Sequence, residues 1–567
     1  GILRAVVANV KAGGTVQGGS TITQQLIKNR ALSGQQTIDR KASEAARAVT
    51  LERMYGKDEI LESYLNGVYY GHVNGVGVYG IGTAARVFFS KSAASLTLAE
   101  AATLAGVVQG PNSLSPIRHP QAAKARRDRA LDRLLALGWM DAVTIAAAKK
   151  EPLVVKPSPP PRPAARAFRQ HLRTQVRPHA SKRMAKGRGV WVESTIDPLL
   201  QSRAERAVRD SLVRMRRDYP KLARLDVSAA MVVLDGKSGA IRAYVGGDPA
   251  RLGDRFDRIG SAKRQPGSLL KPFLLLEAYD QCGTQDSVHP ATRVSDAKLT
   301  IGTGTSSWSP KNYDRKHHGS PLLHEALVHS YNIPFVRLAR HCGWDVMEER
   351  VHSAGLSLPE EPPPSFVLGA VESTPLQLAE AYTTFSGQFG QRVHSVSFST
   401  LEGSVGIGLG RARARRKSVS SKGTAWIVRQ NMEVVVERGS GRRAFVKGRS
   451  IAGKTGTSSG LRDAWFVAEV DGLVVLVWVG LDGGGRLGLT GAQAAIPVFQ
   501  HWAKSTAHLF PASIPAAPML THQVWIDPST GWAKDAGSRG ALPIWFRGQK
   551  YPGKKRFWKD RTTEALR

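Results

Sequence analysis

Ser268 and Lys271 stand three residues apart in Arg264-Gln-Pro-Gly-Ser-Leu-Leu-Lys-Pro-Phe, just after a Pro-Gly turn and ahead of the apolar run Leu274-Leu-Leu. Side chains three apart on a helix share a face, so the pair can serve as nucleophile and general base. A serine hydroxyl is a poor nucleophile without an adjacent base. A lysine amine can be that base near neutrality only when burial or nearby positive charge brings its pKa from about 10.4 towards roughly 7–8. Ser295-Asp-Ala-Lys298 repeats the spacing. Taken alone, either pair reads as an ordinary helix surface.

Two further motifs single out Ser268. Ser330-Tyr-Asn332 follows a polar loop and opens an apolar helix, and Lys454-Thr-Gly-Thr457 stands before a strand-like run. A competing Lys237-Ser-Gly239 lies between the strand-like Val232-Val-Leu and Ile241-Arg-Ala-Tyr-Val, where Asp235-Gly-Lys-Ser-Gly predicts a hairpin turn. Ser-x-x-Lys, Ser-x-Asn and Lys-Thr-Gly in this order resemble the signature of penicillin-binding proteins and class A β-lactamases. Here the middle motif carries Tyr331 where that signature has Asp.

The elements that must position these residues begin at Trp191, where the pattern turns strand-like. The stretch Val192-Glu-Ser-Thr-Ile-Asp-Pro-Leu-Leu-Gln-Ser is predicted to start a helix through Arg214, followed by the Val232–Val245 hairpin, the Ser268 helix and the Ser330 helix. Thr374-Pro-Leu-Gln-Leu opens a helix with Pro in its first turn. Gly403 to Lys422, rich in Gly and Arg, reads as a loop or connection. Asp463–Val470 and Leu473–Val479 read as paired strands.

Residues 1–150 read as nearly all helix. Gly18-Gly-Ser-Thr21-Ile-Thr-Gln24-Gln-Leu joins a glycine turn to a helix start, with Thr21 and Gln24 at capping-box spacing and Lys28 one turn on. The segment is either a well-capped helix or an anion cradle of backbone N–H groups backed by lysine. Arg40, Glu44 and Arg47 share a face, as a solvated charge ladder or as the lining of a cleft. Lys57 to Asn66 makes an amphipathic helix, a Gly-rich loop follows from Gly71 to Gly82, and Leu96–Gly106 and Arg126–Leu137 complete the region.

GGSTITQQL, RKxxE, KDEILESYLN and LAEAATLAG, in that order, resemble the family 51 peptidoglycan glycosyltransferases. With the three later motifs, the chain is similar to a bifunctional class A penicillin-binding protein from Ile2 to about Trp502. The resemblance implies a multidomain chain. Residues 1–150 would be part of a mostly α, lysozyme-like glycosyltransferase domain, and residues 151–190 a basic, Pro-rich linker. Residues 191–504 would be an α/β transpeptidase domain of the serine β-lactamase type, an antiparallel sheet with helices. Residues 505–567 form a C-terminal tail of unassigned role.

It further implies that Glu44 is the second catalytic carboxylate of lipid II polymerisation and that Gln24, Lys28, Arg40 and Lys41 lie in the substrate cleft. The family's first carboxylate, in an E-D-x-x-F-x-x-H motif, would fall ahead of Gly1, so this chain is expected to polymerise glycan poorly or not at all. At the second site Ser268 would attack the D-Ala-D-Ala carbonyl of a stem peptide and Lys271 take its proton. Ser330 and Lys454 would relay the proton to the leaving D-alanine, and Asn332 would hold the substrate backbone. Thr455 or Thr457, beside Gly456, would bind the terminal carboxylate. Backbone N–H groups of Ser268 and Thr457 would form the oxyanion hole, and β-lactams would bind covalently at Ser268. Transpeptidation would need no cofactor and no metal, while glycosyl transfer leaves room for a divalent cation. Cell-wall synthesis proteins are potential partners. A membrane anchor ahead of Gly1 and a place on the outer, periplasmic face of the cytoplasmic membrane are implied too. The rival readings are a serine D,D-carboxypeptidase and a β-lactamase-like enzyme with a non-catalytic N-terminal binding domain.

Composition sets the outer bounds. The 567 residues are too many for one domain of ordinary size. Against 80 Lys+Arg stand 45 Asp+Glu, a net charge of +35, which suits a polyanionic partner: nucleic acid, anionic lipid or a pyrophosphate-bearing substrate. No zinc-finger spacing, aromatic RNA-binding strand or basic helix-turn-helix pattern occurs, so nucleic acid is set aside. Lipid II and the membrane surface remain. Cys282 and Cys342 are the only cysteines; each closes an apolar helix, and a disulfide and two buried thiols are both open. No apolar run reaches the roughly 18–20 residues that span a bilayer.

Overall fold

The computed structural model describes residues 21–31, 46–53, 55–73, 76–156, 165–184, 190–251, 254, 256–282, 288–302, 307–403, 408–510 and 515–548. The chain divides into two compact units: residues 1–164, 177–192 and 401–410, and residues 165–176, 193–400 and 411–567.

The first unit is mainly helical. Thr21 and Gln24 open α1 (Ile22–Ala31) with a reciprocal capping box, Thr21 N donating to Gln24 Oε1 at 3.0 Å and Gln24 N to Thr21 Oγ1 at 3.2 Å. A helical stretch over residues 46–53 precedes α2 (Lys57–Gly67). The Gly71–Gly82 stretch is no loop. Strands β1 (Tyr69–Val73) and β2 (Val76–Tyr79) pair as an antiparallel hairpin, and α3 (Ile81–Phe89) follows directly. The aromatic and β-branched residues between the glycines carry the strands, with Tyr69 opposite Tyr79 and a bulge at Gly71. Tyr64, Tyr70, Val78 and Phe88 form the core beneath them. In α4 (Leu98–Val107), Thr97 and Glu100 repeat the capping box. The buried Arg127 of α5 (Pro120–Ala136) donates to Lys149 O at 2.9 Å and Glu151 O at 2.7 Å. It thereby satisfies carbonyls that the end of α6 (Ala142–Lys150) leaves free.

The segment read as a linker holds a helix, α7 (Arg166–Met184). Its early residues count with the second unit: Phe168 is in the core and His171 stacks on Tyr244 at 5.1 Å. Pro-rich composition masked an amphipathic stretch whose basic residues lie mostly outside the core.

The second unit is built on a five-stranded antiparallel sheet. Asp197 caps α8 (Pro198–Asp218), which leads into β3 (Val227–Asp235) and β4 (Ile241–Val245). Their connection is the predicted turn, with Asp235 Oδ1 accepting from the N–H groups of Lys237 and Ser238. Strands β7 (Ile451–Thr457), β8 (Asp463–Val470) and β9 (Leu473–Leu481) complete the order β7-β8-β9-β3-β4. Lys454 therefore lies inside a strand rather than before one. Both sheet faces are covered, which explains why the strands read as continuous apolar runs. One face, with Val232, Trp465 and Leu476, belongs to the core that also holds α9 (Lys271–Asp280) and α10 (Ile333–Cys342). The other, with Met231, Phe466 and Val475, packs on α8 and α13 (Gly491–Thr506).

Helix α11 (Pro375–Tyr382) starts at the cap residue Thr374. The Gly403–Lys422 segment is more than a connection: β5 (Gln391–Val393) pairs with β6 (Arg416–Ser418). Residues 404–407 lie outside the described ones. Cys282 and Cys342 form a disulfide, with Cα atoms 5.2 Å apart, at the ends of α9 and α10. The tail folds into a three-stranded sheet, β10 (Thr521–Ile526), β11 (Ala533–Lys534) and β12 (Leu542–Arg547). Trp545 meets Trp426 of α12 (Lys422–Glu437) edge-on at 4.4 Å. Among the described residues no helix is long and apolar enough to cross a membrane.

Candidate active site

The Ser268 turn is held from two sides, by the loop ahead of Pro375 and by the sheet. Arg264 exchanges both backbone hydrogen bonds with Ser373, at 3.1 and 3.0 Å, and Trp465 Nε1 of β8 donates to Gln265 O at 2.9 Å. Gly267 has φ +56°, and a Cβ there would sit 2.3 Å from Thr457 O. A Cβ on Gly456 would sit 2.5 Å from Pro266 O. Only glycines let the turn and the edge strand approach this closely, and Gly456 earns its place in the motif that way.

Residues Gly267–Leu270 form a 3₁₀ turn that runs into α9 at Lys271. In such a turn residues i and i+3 eclipse, so Ser268 and Lys271 share a face. Within the turn Gly267, Leu269 and Leu270 are buried and Ser268 alone keeps partial exposure. The nucleophile candidate is the one side chain of the turn that a substrate can reach.

Lys271 is fully buried. Its Nζ donates to Ser330 O at 2.8 Å, Tyr331 O at 2.8 Å and Asn332 Oδ1 at 2.7 Å, with Ser330 Oγ at 3.4 Å. Ser268 Oγ is not among these partners. Burial first, then the charge of Lys454, holds the Lys271 amine well below the ordinary lysine range, against an opposing pull from Asp296. That meets the condition a lysine base requires.

Ser330 sits in left-handed backbone, φ +61°, a conformation that costs a non-glycine residue about 1 kcal/mol or more. There its Oγ stands between two amines, accepting from Lys454 Nζ at 2.8 Å and lying 3.4 Å from Lys271 Nζ. Lys454 is also fully buried and donates to Thr455 O at 3.0 Å. Burial lowers its pKa to about 7. Thr455 Oγ1 donates to Ser440 Oγ at 3.1 Å, and Thr457 Oγ1 accepts from Gly491 N at 3.2 Å.

Three residues that motif reading passed over hold this arrangement. Asn312 Oδ1 accepts from Asn332 N at 2.7 Å, and its Nδ2 donates to both Asp296 carboxylate oxygens at 2.9 and 2.7 Å. Asp296, fully buried, also accepts from His318 N at 2.8 Å. Ser440 receives the Thr455 bond. Asp296 belongs to Ser295-Asp-Ala-Lys298, the rival motif, which lies in irregular backbone rather than on a helix. The one sequence signal for the loop was its polar composition.

Ser268, Lys271, Ser330, Asn332, Lys454, Thr455, Gly456 and Thr457 thus converge on one site. In the first unit Gln24 is buried with its Oε1 committed to the cap of α1. Arg40, Lys41 and Glu44, and the side chain of Lys28, lie outside the described residues.

The transglycosylase family matches residues 1–135, and the penicillin-binding protein transpeptidase domain matches residues 229–501. The chain is 35% identical over 575 residues to penicillin-binding protein 1B of Vibrio cholerae, covering all of this chain and 72% of that protein. It is 33% identical to penicillin-binding protein 1B of Haemophilus influenzae, covering 98% of this chain and 70% of that one. The chain belongs to the bifunctional class A penicillin-binding proteins. This penicillin-binding protein carries both enzymes of peptidoglycan synthesis, a glycosyltransferase followed by a D-Ala-D-Ala transpeptidase, and the two-domain match disfavours a lone carboxypeptidase or β-lactamase. Its fold is that of the Haemophilus influenzae penicillin-binding protein 1A crystal structure, at TM-score 0.63 and 20% identity over 94% of each chain. The PonA1 protein of Mycobacterium tuberculosis, solved in complex with penicillin V, matches at TM-score 0.52 and 24% identity, covering 62% of this chain and 95% of that one.

Proposed function

We propose that Ser268 is the acylated nucleophile of the transpeptidase. The observation that carries this is the buried Lys271 amine on the same face of a 3₁₀ turn as the one reachable hydroxyl. Ser268 Oγ attacks the carbonyl carbon of the penultimate D-alanine as its proton passes to Lys271. The three oxygens already around that amine, two carbonyls and Asn332 Oδ1, then stabilise the ammonium that forms. The tetrahedral oxyanion is held by the backbone N–H groups of Ser268 and Thr457, donors of a kind typically worth about 3–4 kcal/mol each.

The peptide C–N bond breaks, and the leaving D-alanine amine takes a proton from Ser330 Oγ, which Lys454 restores across their 2.8 Å contact. An amine of a neighbouring stem peptide then attacks the ester carbonyl. As the cross-link forms the ester C–O bond breaks, Lys271 returns its proton to Ser268 Oγ, and the amine's surplus proton passes through Ser330 Oγ back to Lys454. Lys454 and the hydroxyls of Thr455 and Thr457 receive the substrate's terminal carboxylate, and Asn332 aligns its backbone. None of these steps calls on a cofactor or metal. β-lactams, which imitate D-Ala-D-Ala, acylate the same oxygen.

In the first unit, Glu44 with Lys28, Arg40, Lys41 and Gln24 serves lipid II polymerisation, with a divalent cation as an accessory to glycosyl transfer. The surplus of 35 positive charges concentrates a pyrophosphate-bearing lipid at an anionic membrane face. The site of action is the outer, periplasmic face of the cytoplasmic membrane, beside other cell-wall synthesis proteins. The disulfide suits that oxidising side. Release of D-alanine from a disaccharide pentapeptide substrate tests the reading. Wild-type protein is expected to release it and Ser268→Ala to release none; equal release by both would assign the chemistry to another residue.

A further inference from the structure

On the sheet face away from Ser268, a cleft of about 410 Å³ opens between α8 and α13. Met215 and Ile496, 5% and 1% exposed, give it an apolar floor. Arg214 and Arg443 stand on its rim, and neither has an ion-pair partner among the described residues. The carboxylate that lines it, Asp218, is already engaged by Arg217 Nε at 2.9 Å. Two uncompensated cations therefore face a half-apolar hollow.

One polar group inside is unsatisfied in the same sense. Ser211 lines the cleft, is 3% exposed, and its Oγ has no hydrogen-bond partner among the described residues. Buried hydroxyls are normally paired, and an unpaired one calls for a reason. Pro497, inside α13, has no N–H to give the carbonyl of Gln493. The free hydroxyl can donate to an anion held between the arginines, and the proline keeps the α13 wall open at that turn.

We propose that this cleft is a second ligand site, for a small organic anion with an apolar body. The anionic group, carboxylate or phosphate, lies between Arg214 and Arg443 and accepts from Ser211 Oγ. The body rests on Met215 and Ile496. Both walls lead to the catalytic strand. Gln493 is two residues from Gly491, whose N–H meets Thr457 Oγ1 at 3.2 Å. Arg443 is three residues from Ser440, whose Oγ meets Thr455 Oγ1 at 3.1 Å. An anion clamped by both walls alters the rate of acylation at Ser268, a link that rests on the roles given above to Thr455 and Thr457.

Calorimetric titration of the full chain with benzoate, phenyl phosphate and inorganic phosphate tests the site. Arg214→Glu and Arg443→Glu lie on exposed positions, and an unchanged melting temperature checks their folding. At least one aryl anion is expected to bind wild type and Ser268→Ala alike, with each charge reversal weakening it about tenfold or more, roughly the loss of one ion contact. The tighter of benzoate and phenyl phosphate identifies the headgroup. Inorganic phosphate binding as tightly would overturn the need for an apolar body. Binding that survives both reversals, or disappears after loading with benzylpenicillin, would place the anion in the catalytic cleft and overturn the proposal, as would no binding of either aryl anion. These readouts need no acylation, so failure of the Ser268 chemistry leaves them intact. Bound anion with an unchanged rate of penicillin acylation would overturn the link to the strand.

Discussion

The cleft has a helical wall and a strand wall, each centred on one fully buried lysine. On the helical wall Lys271 has four oxygens around it, and Asp296 stands behind them through Asn312. On the strand wall Lys454 has two, one of them the Ser330 hydroxyl it shares with Lys271. Burial lowers both amines. The difference lies in what each wall prepares. The helical wall has acceptors waiting for a charge that appears only on proton transfer, which suits a base. The strand wall leaves its amine hydrogen-bonding capacity for a carboxylate, which suits a binding cation. The same side chain does different work because its neighbours differ.

Substitutions can break this contrast. Lys271→Ala is expected to slow acylation by benzylpenicillin by roughly 10³-fold, within the range for loss of a general base. Lys454→Ala should act mainly on the concentration dependence, through the lost carboxylate contact. Two variants with the same loss and the same saturation behaviour would erase the distinction. Asn312→Ala comes next. It leaves Asn332 N without its partner and the buried Asp296 carboxylate with only His318 N of the partners named above, at a cost of about 1–3 kcal/mol in stability by denaturant titration. Acylation should fall by about 10- to 100-fold as the Ser330–Asn332 segment shifts.

pH sharpens the contrast further. Lys454 is cationic below about 7 and neutral above, so acylation by benzylpenicillin should decline as pH rises through that value. The penicillin methyl ester has no carboxylate to lose the contact, so its decline should be shallower, keeping only the part due to the proton that Lys454 supplies through Ser330. Parallel profiles would remove Lys454 from carboxylate binding. The smallest effect on rate is expected from Cys282→Ala with Cys342→Ala. Opening a loop of 60 residues removes up to roughly 4 kcal/mol of stability on the chain-entropy account. Acylation should change by less than about twofold, because the bridge joins helix ends away from the reacting groups.

What the sequence carried and what it did not follow one division. Ser268 with Lys271 is a short-range pattern, legible because three residues fix a shared face; Lys454 is legible as a motif, but the sequence places it before a strand when it lies inside one. The paired strands Asp463–Val470 and Leu473–Leu481 announced themselves as apolar runs. The clamp of Asp296 and Asn312 was invisible: it joins residues 16 and 20 positions apart through irregular loop, where no periodicity operates. The β1–β2 hairpin was hidden by its glycines, which drew attention to the turn rather than to the aromatic residues between them. Helix α7 was hidden by the prolines before it, and the C-terminal sheet by the lack of any chemical motif.

The central claim is that Ser268 becomes acylated. Intact-protein mass spectrometry after incubation with benzylpenicillin, followed by peptide mapping, tests it most directly. The account expects a lasting adduct of one penicillin mass on the peptide holding Ser268, and none on Ser268→Ala. An adduct that persists in Ser268→Ala, or rapid penicillin hydrolysis without any adduct, would contradict it.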